Sequence, residues 1–380
     1  LAENGTFGLV LTDTIAQGST RVHGLSRLVA AGVSLYRAQR SVPWPGVAKV
    51  RVAIVHGRAG GPVLAPVLDG NAVSHISSHL VRGMPERDPQ PLPWRRGLCF
   101  IGCDLKGPGF VLSAEERASL CASVPARAKV LPAYITGADL VRQVDRKPRR
   151  YVIDFAGLSE RQADDRWPEL MRIVRAEVYA ERAERSPEVA AAPPWLFWRV
   201  RQKLRDAVRP LPRCLVAAVV SKHLVWDWQP IDRVYSHKVA VVASADDATF
   251  ALLQSSIFEA WARALSSTLG VGLNFTPSRC FETFVPPENL DGLAALGREL
   301  WTARERVRQE QAVGLTRVRD LELSSMDLGS LELLRSARRR VDEGVRRAYG
   351  WPIDPGFDPM NDVQRLLQLH GRVLPTSEAL

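Results

Sequence analysis

Apolar and polar positions change their rhythm along this chain. Near the start they alternate in short runs, in the middle they gather into strand-length blocks, and toward the end they recur at three- and four-residue spacing. Residues 6–11 form a β-type run that follows the turn signal Asn4-Gly5 and ends in the polar loop 12–20. Residues 25–31 predict a short helix. Residues 33–38 and 47–56 predict two more strands, divided by the turn at Pro43–Gly46. Periodicity alone makes this opening an α/β fragment.

Residues 57–97 are rich in Gly, Pro, Arg and Ser and poor in apolar period, which predicts a long loop or linker. A second α/β stretch follows, from about Phe100 to Phe284. Its strand candidates are 100–104, 150–155, 214–221 and 239–243; its helix candidates are 114–121, 164–183 and 250–265. The segment 193–198, Pro-Pro-Trp-Leu-Phe-Trp, interrupts it as an aromatic loop or helix start. From Leu290 to Tyr349 the pattern is helical, with Arg, Glu and Leu at helix spacing. Beyond Trp351 the sequence is Pro-rich and predicts no defined element. No internal repeat or low-complexity tract is present.

Composition narrows the class. The 380 residues suit two or three domains, and 46% hydrophobic with 24% charged content is ordinary for a soluble protein. The five cysteines are odd in number and irregularly spaced, with no Cys-x-x-Cys pair. They signal neither a disulfide framework nor a zinc ribbon; reduced thiols in a cytoplasmic protein are the simplest expectation. The longest apolar runs are strand-length, so no membrane span is expected. The opening shows no basic-then-apolar leader pattern. A first residue of Leu1 is expected from a chain cut out of a longer one, or from a non-standard start codon.

The formal charge is +10 and is unevenly placed. Residues 127–150 hold seven basic side chains against two acidic, and residues 196–223 hold seven against one. These two clusters account for the whole excess. A polyanionic partner is favoured, though charge does not identify it.

Several short motifs occur in a fixed order. They are Thr12-Asp13-Thr14-Ile15-Ala16-Gln17-Gly18, Trp44-Pro45-Gly46, Gly137-Ala138-Asp139-Leu140, Tyr151-Val152-Ile153-Asp154-Phe155, Leu253-Gln254-Ser255-Ser256, Phe281-Glu282-Thr283-Phe284 and Ala348-Tyr349-Gly350-Trp351. In this order and spacing the set resembles the C-terminal half of MmeI-like adenine-specific DNA methyltransferases of type II restriction–modification systems. The resemblance extends to about residue 352. It implies an α/β fold class: the C-terminal part of a class I, Rossmann-like methyltransferase sheet at 1–58, a linker and α+β target-recognition domain at 59–286, and a helical C-terminal domain at 287–380. In such a sheet the last strand is antiparallel and inserts beside its neighbours.

The implied activity is methyl transfer from S-adenosylmethionine to the exocyclic amino group of adenine in a specific double-stranded DNA site. That chemistry requires the base to be flipped out of the duplex. The amino lone pair is delocalised into the ring, and the family uses an Asn side chain and a Pro carbonyl to accept hydrogen bonds from that amino group, with an aromatic ring stacked on the base. This sequence contains neither the Asn-Pro-Pro-Tyr/Phe tetrapeptide nor the Phe-x-Gly-x-Gly cofactor loop. Pro193-Pro194-Trp195 is preceded by Ala192 and falls in the wrong domain. No catalytic residue is therefore expected here. The expected partner, besides double-stranded DNA, is an upstream catalytic half or a separate catalytic subunit. Two other readings stay open: a stand-alone DNA-binding specificity subunit, and an inert remnant of a decayed gene.

Candidate site residues follow. Thr12, Asp13, Thr14 and Gln17 lie where a strand gives way to a loop, the edge at which open α/β sheets bind ligands. The family has Asn where this chain has Asp13, and an ionised Asp offers acceptors only. A polar turn capping the next helix is the alternative. Arg142, Arg146, Lys147, Arg149 and Arg150 form a basic loop suited to DNA phosphates, or a solvated face. Ser221, Lys222, Ser236, His237 and Lys238 sit at two strand ends suited to reading base edges, or are solvated strand ends. Trp226 and Trp228 alternate, and core is favoured over a DNA platform. His75 and His79, or Cys99 and Cys103, lack a third metal ligand. Asp104-Leu105-Lys106 lacks the partner carboxylates of a nuclease. Gln254-Ser255-Ser256 is expected to let helices approach closely. The Arg-rich C-terminal helices are expected to cover the sheet, clamp DNA, or both, and with Glu299, Glu305 and Glu310 interspersed many of their Arg are expected to pair on the surface.

Overall fold

In the computed structural model, which describes residues 2, 4–48, 50–61, 65–269, 272–353 and 359–374, the chain opens with three long strands. Thr6–Thr12 leads through the helices Gly18–His23 and Leu25–Ala30 to Val33–Pro43, and the chain returns along Arg51–Ala59. This third strand inserts between the first two and is antiparallel to both, with Thr6 opposite Arg58 and Val33 opposite Ala59. It starts later than its pattern predicts because residues 45–48 bend; Lys49 lies outside the described residues. Alternation sends Ala53 and Val55 into a small core with Leu25, Leu35 and Leu68. Thr6–Thr12 is an edge strand, and its Leu9 and Val10 are exposed.

The expected linker is a strap. Val67–Leu68 and Asn71–Ala72 form a small hairpin that extends the first sheet past residue 58. The irregular stretch after it gives Ile76 and Leu80 to the first core, and Val81 and Met84 to the large core beyond. The Leu92 amide donates to the Glu282 carbonyl at 2.8 Å, and the Arg95 guanidinium lies 3.9 Å from the centre of the Phe281 ring. Its buried positions follow neither a helix nor a strand period, so pattern could not reveal them.

The middle of the chain is a layered α+β region. All five residues of Cys214–Ala218 are buried. Leu215 and Ala217 face one core, Cys214 and Val216 another. Val239–Val242, its antiparallel neighbour, divides in the same way. A strand covered on both faces must be apolar at every position, which explains blocks where alternation would otherwise stand. Asp227–Gln229 and Cys99–Ile101 flank the pair. A second sheet orders Arg233–Tyr235, Ala133–Ile135, Arg150–Val152 and Val111–Ser113, the first two parallel. The predicted strand 214–221 divides at Val219: Val220–Ser221 pairs instead with Gly272–Asn274, which pairs with Ser267–Leu269. Trp226 and Trp228 are core. Trp226 meets Phe275 edge-on and Trp228 stacks on Phe250.

Two expected helices are broken. The 164–183 pattern becomes Glu160–Arg166 and Pro168–Val174, divided at Trp167 because Pro168 takes the first helical position, and runs on through a wide turn at Arg175–Tyr179. The 250–265 pattern becomes Asp247–Gln254 and Ser256–Leu265. Ser255 caps the second helix, accepting from the Phe258 amide at 3.2 Å. Gln254-Ser255-Ser256 is thus a break that the next layer grips: Asp342 accepts from the Ser256 amide at 2.7 Å, and Arg338 donates to the Gln254 carbonyl.

Leu293–Glu310, Leu315–Glu322, Gly329–Ala348 and Pro359–Val373 complete the chain. The last was not expected; residues 354–358 before it and 375–380 after it lie outside the described residues. Its Val363 and Leu366, one turn apart, are fully buried. These helices share one core with the Cys214–Ala218 sheet and the helices Asp247–Gln254 and Ser256–Leu265. Among the described residues no separate core begins at residue 287.

The arginines of these helices also depart from the surface-pair expectation. Arg304 and Asp227 are buried and paired at 2.6 Å, as are Arg346 and Asp362 at 2.8 Å, and half-buried Arg338 pairs with buried Glu322 at 2.9 Å. Glu305 joins the first of these networks through Arg146 and Arg308. Glu299 and Glu310 keep exposed arginine partners, Arg340 and Arg306.

Candidate nucleic-acid interface

At the end of the first strand the chain makes a tight turn over Asp13–Ala16 and enters the helix Gly18–His23. The Thr12 and Thr14 hydroxyls share a hydrogen bond of 2.8 Å. The Asp13 carboxylate accepts from the Ser41 amide at 2.8 Å and from the Ser41 hydroxyl. Both partners are donors, so a carboxylate suits this place. Gln17 reaches across to the recognition region: its Oε1 accepts from the Thr268 amide at 2.8 Å and its Nε2 donates to the Thr268 hydroxyl at 3.1 Å. Neither Asp13 nor Gln17 caps the following helix with its side chain.

Asp13 and Gln17 line a cleft of about 290 Å³ between the first sheet and the helix Ser256–Leu265. Three arginines also line it, each from a different element: Arg40, Arg263 and Arg279. All three face carboxylates. Arg40 pairs with Asp69 at 2.9 Å, Arg263 with Glu259 at 2.7 Å, and Arg279 with Asp88 at 3.5 Å. Sequence reading missed this triad because its members are far apart and sit outside the two charge clusters. Behind the cleft, buried Arg21 donates to Asp88 at 2.7 Å and to the Ser78 hydroxyl at 2.8 Å. Burial pushes the Asp88 carboxyl up, but His79 and Arg21 outweigh it and hold it below its ordinary value. His79 thus faces Asp88, at 3.1 Å. Among the described residues no group of three His, Cys, Asp or Glu is placed to hold a metal ion.

The basic loop 142–150 divides by burial. Arg146 binds Asp227 at 3.0 Å through two nitrogens and Glu305 at 2.7 Å, and lies against Trp301. Burial works against its charge, but Asp227 and Glu305 overcome this and raise its proton affinity. Arg150 binds Asp139 at 2.8 Å and the Thr136 hydroxyl at 3.0 Å. These two arginines hold the loop in place. Arg142, Lys147 and Arg149 are exposed, and among the described residues only Arg149 has a carboxylate near, Asp145 at 3.6 Å.

The two strand ends do come together. The Val219 amide donates to the Lys238 carbonyl at 2.9 Å, which sets the turn 236–238 beside the start of Val220–Ser221. Lys222 extends from that strand and pairs with Asp320 at 2.6 Å; His223 meets the same carboxylate at 2.8 Å. Hydrogen bonds from Lys222 and His223 hold the Asp320 carboxyl below its ordinary value. Asp320, on the helix Leu315–Glu322, was not legible as a partner because 98 residues separate it from Lys222. The Ser221 hydroxyl donates to the His223 carbonyl at 2.6 Å. Ser236 is buried and accepts from the Lys238 amide at 3.2 Å, whereas Lys238 is exposed and His237 partly so.

One ladder links these places. Gln17 holds Thr268, which pairs opposite Leu273; Leu273 pairs opposite Ser221; and the chain just before Ser221 is bonded to Lys238. The described residues thus form a mixed α/β protein with a polar cleft at one end of this ladder and exposed Lys238 at the other. Residues 103–288 match the family described as MmeI, target recognition domain. Among solved structures, the type IIL restriction-modification enzyme MmeI in complex with DNA is similar at 17% identity and a TM-score of 0.76. That match covers 97% of this chain and 50% of the solved chain, so this chain spans about half of its length. The type IIG restriction endonuclease BpuSI aligns over 92% of this chain and 48% of its own at 11% identity, with a TM-score of 0.28 that supports no common fold. A search of curated proteins finds no match. Among the described residues no helix is long and apolar enough to cross a membrane.

Proposed function

We propose that this chain is the DNA-recognition part of a site-specific adenine DNA methyltransferase of a type II restriction–modification system. The observation that carries this reading is a pairing of features. Residues 103–288 match a target recognition domain, and ahead of them the third strand of a sheet inserts antiparallel between two strands of common direction. That arrangement is the one expected for the tail of a class I methyltransferase sheet. In this reading Thr6–Thr12 ends beside the active site, and Asp13 and Gln17 form its wall against the recognition domain. The solved complex of MmeI with DNA makes duplex DNA the proposed partner. The reading implies a cytoplasmic enzyme.

S-adenosylmethionine is the methyl donor that this reading requires, and the residues present do not form a site for it. The Asp13 carboxylate is engaged by Ser41, and the cleft arginines face Asp69, Glu259 and Asp88. No glycine-rich cofactor loop is in the sequence. No methyl-transfer step is assigned to this chain. The cofactor loop and the adenine-clamping tetrapeptide belong to an upstream segment or to a separate catalytic subunit. The chain's own work is to grip and read the duplex. Exposed Arg142, Lys147 and Arg149 contact phosphates, and Ser221 and Lys222 face base edges.

A labelled-methyl assay on plasmid DNA with purified 1–380, run beside a duplex-binding titration, tests the proposal. No incorporation is expected, together with binding that falls steeply between about 50 and 200 mM salt as counterions are released. Saturable methyl incorporation would overturn the division of labour. Salt-insensitive or absent binding would overturn the DNA reading.

A further inference from the structure

Lys106 and Arg201 hold left-handed backbone conformations, at φ 45° and 59°. Such conformations are strained for residues with a Cβ, and they persist where surrounding structure imposes them, often at binding sites. Here both residues are cations, and both border the turn 236–238.

The imposing structure is a junction of three segments. Asp104 and Arg199 exchange backbone hydrogen bonds of 3.2 and 3.0 Å, and Cys103 bridges to Ser236. Buried Arg182 donates to the carbonyls of Leu105, Lys106 and Pro193 and so locks the Lys106 loop. The Arg201 Nε donates to the Gly102 carbonyl at 3.3 Å. The turn itself is clamped from two sides. A Cβ at Gly102 would fall 2.3 Å from the Tyr235 and Ser236 carbonyl oxygens, and one at Gly137 would fall 2.8 Å from the Lys238 carbonyl oxygen. Only glycine permits either approach.

On this frame the His237 ring lies 3.7 Å from the Asp104 carboxylate, and Lys238, Lys106 and Arg201 stand near enough to act on it. Burial lowers its proton affinity; Asp104 opposes this, and Lys238, Lys106 and Arg201 add to it. The ring therefore stays neutral at neutral pH. Asp104 also lies 3.6 Å from Lys106. Arg201 and Lys238 are exposed and have no carboxylate partner among the described residues. The Arg201 guanidinium, already held through its Nε, loses little freedom when it binds, which favours association.

We propose that Lys106, Arg201, Lys238 and His237 form a preorganised saddle that seats the phosphodiester backbone of duplex DNA beside the Val220–Ser221 strand end. The inference rests on the DNA-recognition reading above and adds the place where the backbone is held. Contacts of this kind orient a protein on the duplex without reading its sequence. The saddle thereby positions Ser221 and Lys222 over the base edges.

Fluorescence anisotropy with the 380-residue chain and a fluorescein-labelled mixed-sequence duplex tests this over about 50 to 200 mM salt. Lys106→Asn and Arg201→Asn retain a residue that tolerates the left-handed region. Lys238→Gln, at an exposed position, makes no such demand on the backbone. Each variant is expected to weaken binding to all duplexes and to flatten the slope of log affinity against log salt by about one unit. Combining the three is expected to add the losses, and Lys238→Arg is expected to keep the wild-type slope. Melting curves check the fold, and Lys238→Gln decides if either Asn variant proves misfolded. A wild-type slope in Lys238→Gln and in the folded combined variant would overturn the saddle and leave the DNA-recognition reading standing. No duplex binding by the wild-type chain would overturn both.

Discussion

The N-terminal sheet, residues 6–72, packs a small core against one face and leaves Leu9 and Val10 of its edge strand exposed. The body from Cys99 to Val373 covers its central strands on both faces and buries even its ion pairs. The difference lies in how each region fixes position. The body uses charges as keys: Asp227 meets Arg304 and Arg146, and Trp301 adds a bond at 3.3 Å, so sheet and helices have one relative placement. Such pairs contribute little net stability, but they are costly to leave half-made. The sheet holds its buried cation, Arg21, at its attachment to the strap through Ser78 and Asp88. An edge strand with exposed apolar residues is a surface that pairs readily with another chain.

The strongest way to break this contrast is Asp227→Ala. It strands the buried Arg304 guanidinium, and a loss of about 3–5 kcal/mol is expected in denaturant unfolding of the body. A loss under about 1 kcal/mol, the range of exposed pairs, would show that the network is no key.

Acid should act next on the body's buried carboxyls. Burial pushes the Asp227, Glu259 and Glu322 carboxyls up, but their arginine neighbours outweigh it and leave each below its ordinary value of 3.8 or 4.5. Stability from depressed carboxyls is complete above those ordinary values and is lost as pH falls through the lowered ones. Asp342 and Asp362 run the other way. Burial raises both, so their contribution is complete below 3.8 and fades as pH rises through the raised values. The body is expected to lose stability in acid below about pH 4, with those two blunting the fall. Unfolding midpoints from pH 2 to 7 check this; a body whose stability rises steadily toward pH 2 would contradict it.

Arg21→Ala should act on the sheet alone. Losing its bonds to Asp88 and Ser78 is expected to cost about 2 kcal/mol locally. Proteolysis within residues 1–97 should accelerate while the melting of the body stays in place. Equal destabilisation of both regions would show that they fold as one unit.

The smallest stability effect belongs to Lys222, which is exposed and pairs with Asp320. Lys222→Gln in the complete enzyme is expected to change stability by at most about 0.5 kcal/mol. It is expected to alter the methylated site at one base pair, since a good base contact discriminates by about 1–3 kcal/mol. Methylome sequencing of an expressing host measures this. A parental site with evenly reduced activity would place Lys222 on phosphate or in structure.

Local pattern was enough for the parts of this protein that depend on neighbours in sequence. The three opening strands, the doubly buried Cys214–Ala218 and Val239–Val242, the C-terminal helices to Ala348 and the core tryptophans all follow from alternation, apolar blocks and helix spacing. The motif order likewise pointed to the family later matched at 103–288. Tertiary structure decided the rest, because the rest is a matter of who meets whom. Arg146 and Lys147 are adjacent and alike in charge, yet one is held by Asp227 and Glu305 from distant elements and the other is exposed. The strap carries its buried residues without a period, and the helix Pro359–Val373 follows a Pro-rich stretch. The cleft arginines, Asp320 beside Lys222, and the clamped turn at His237 each join segments far apart in the chain. A sequence records the charge and size of each side chain; only the fold supplies the partner that determines whether a charge is buried as a key or left exposed to bind.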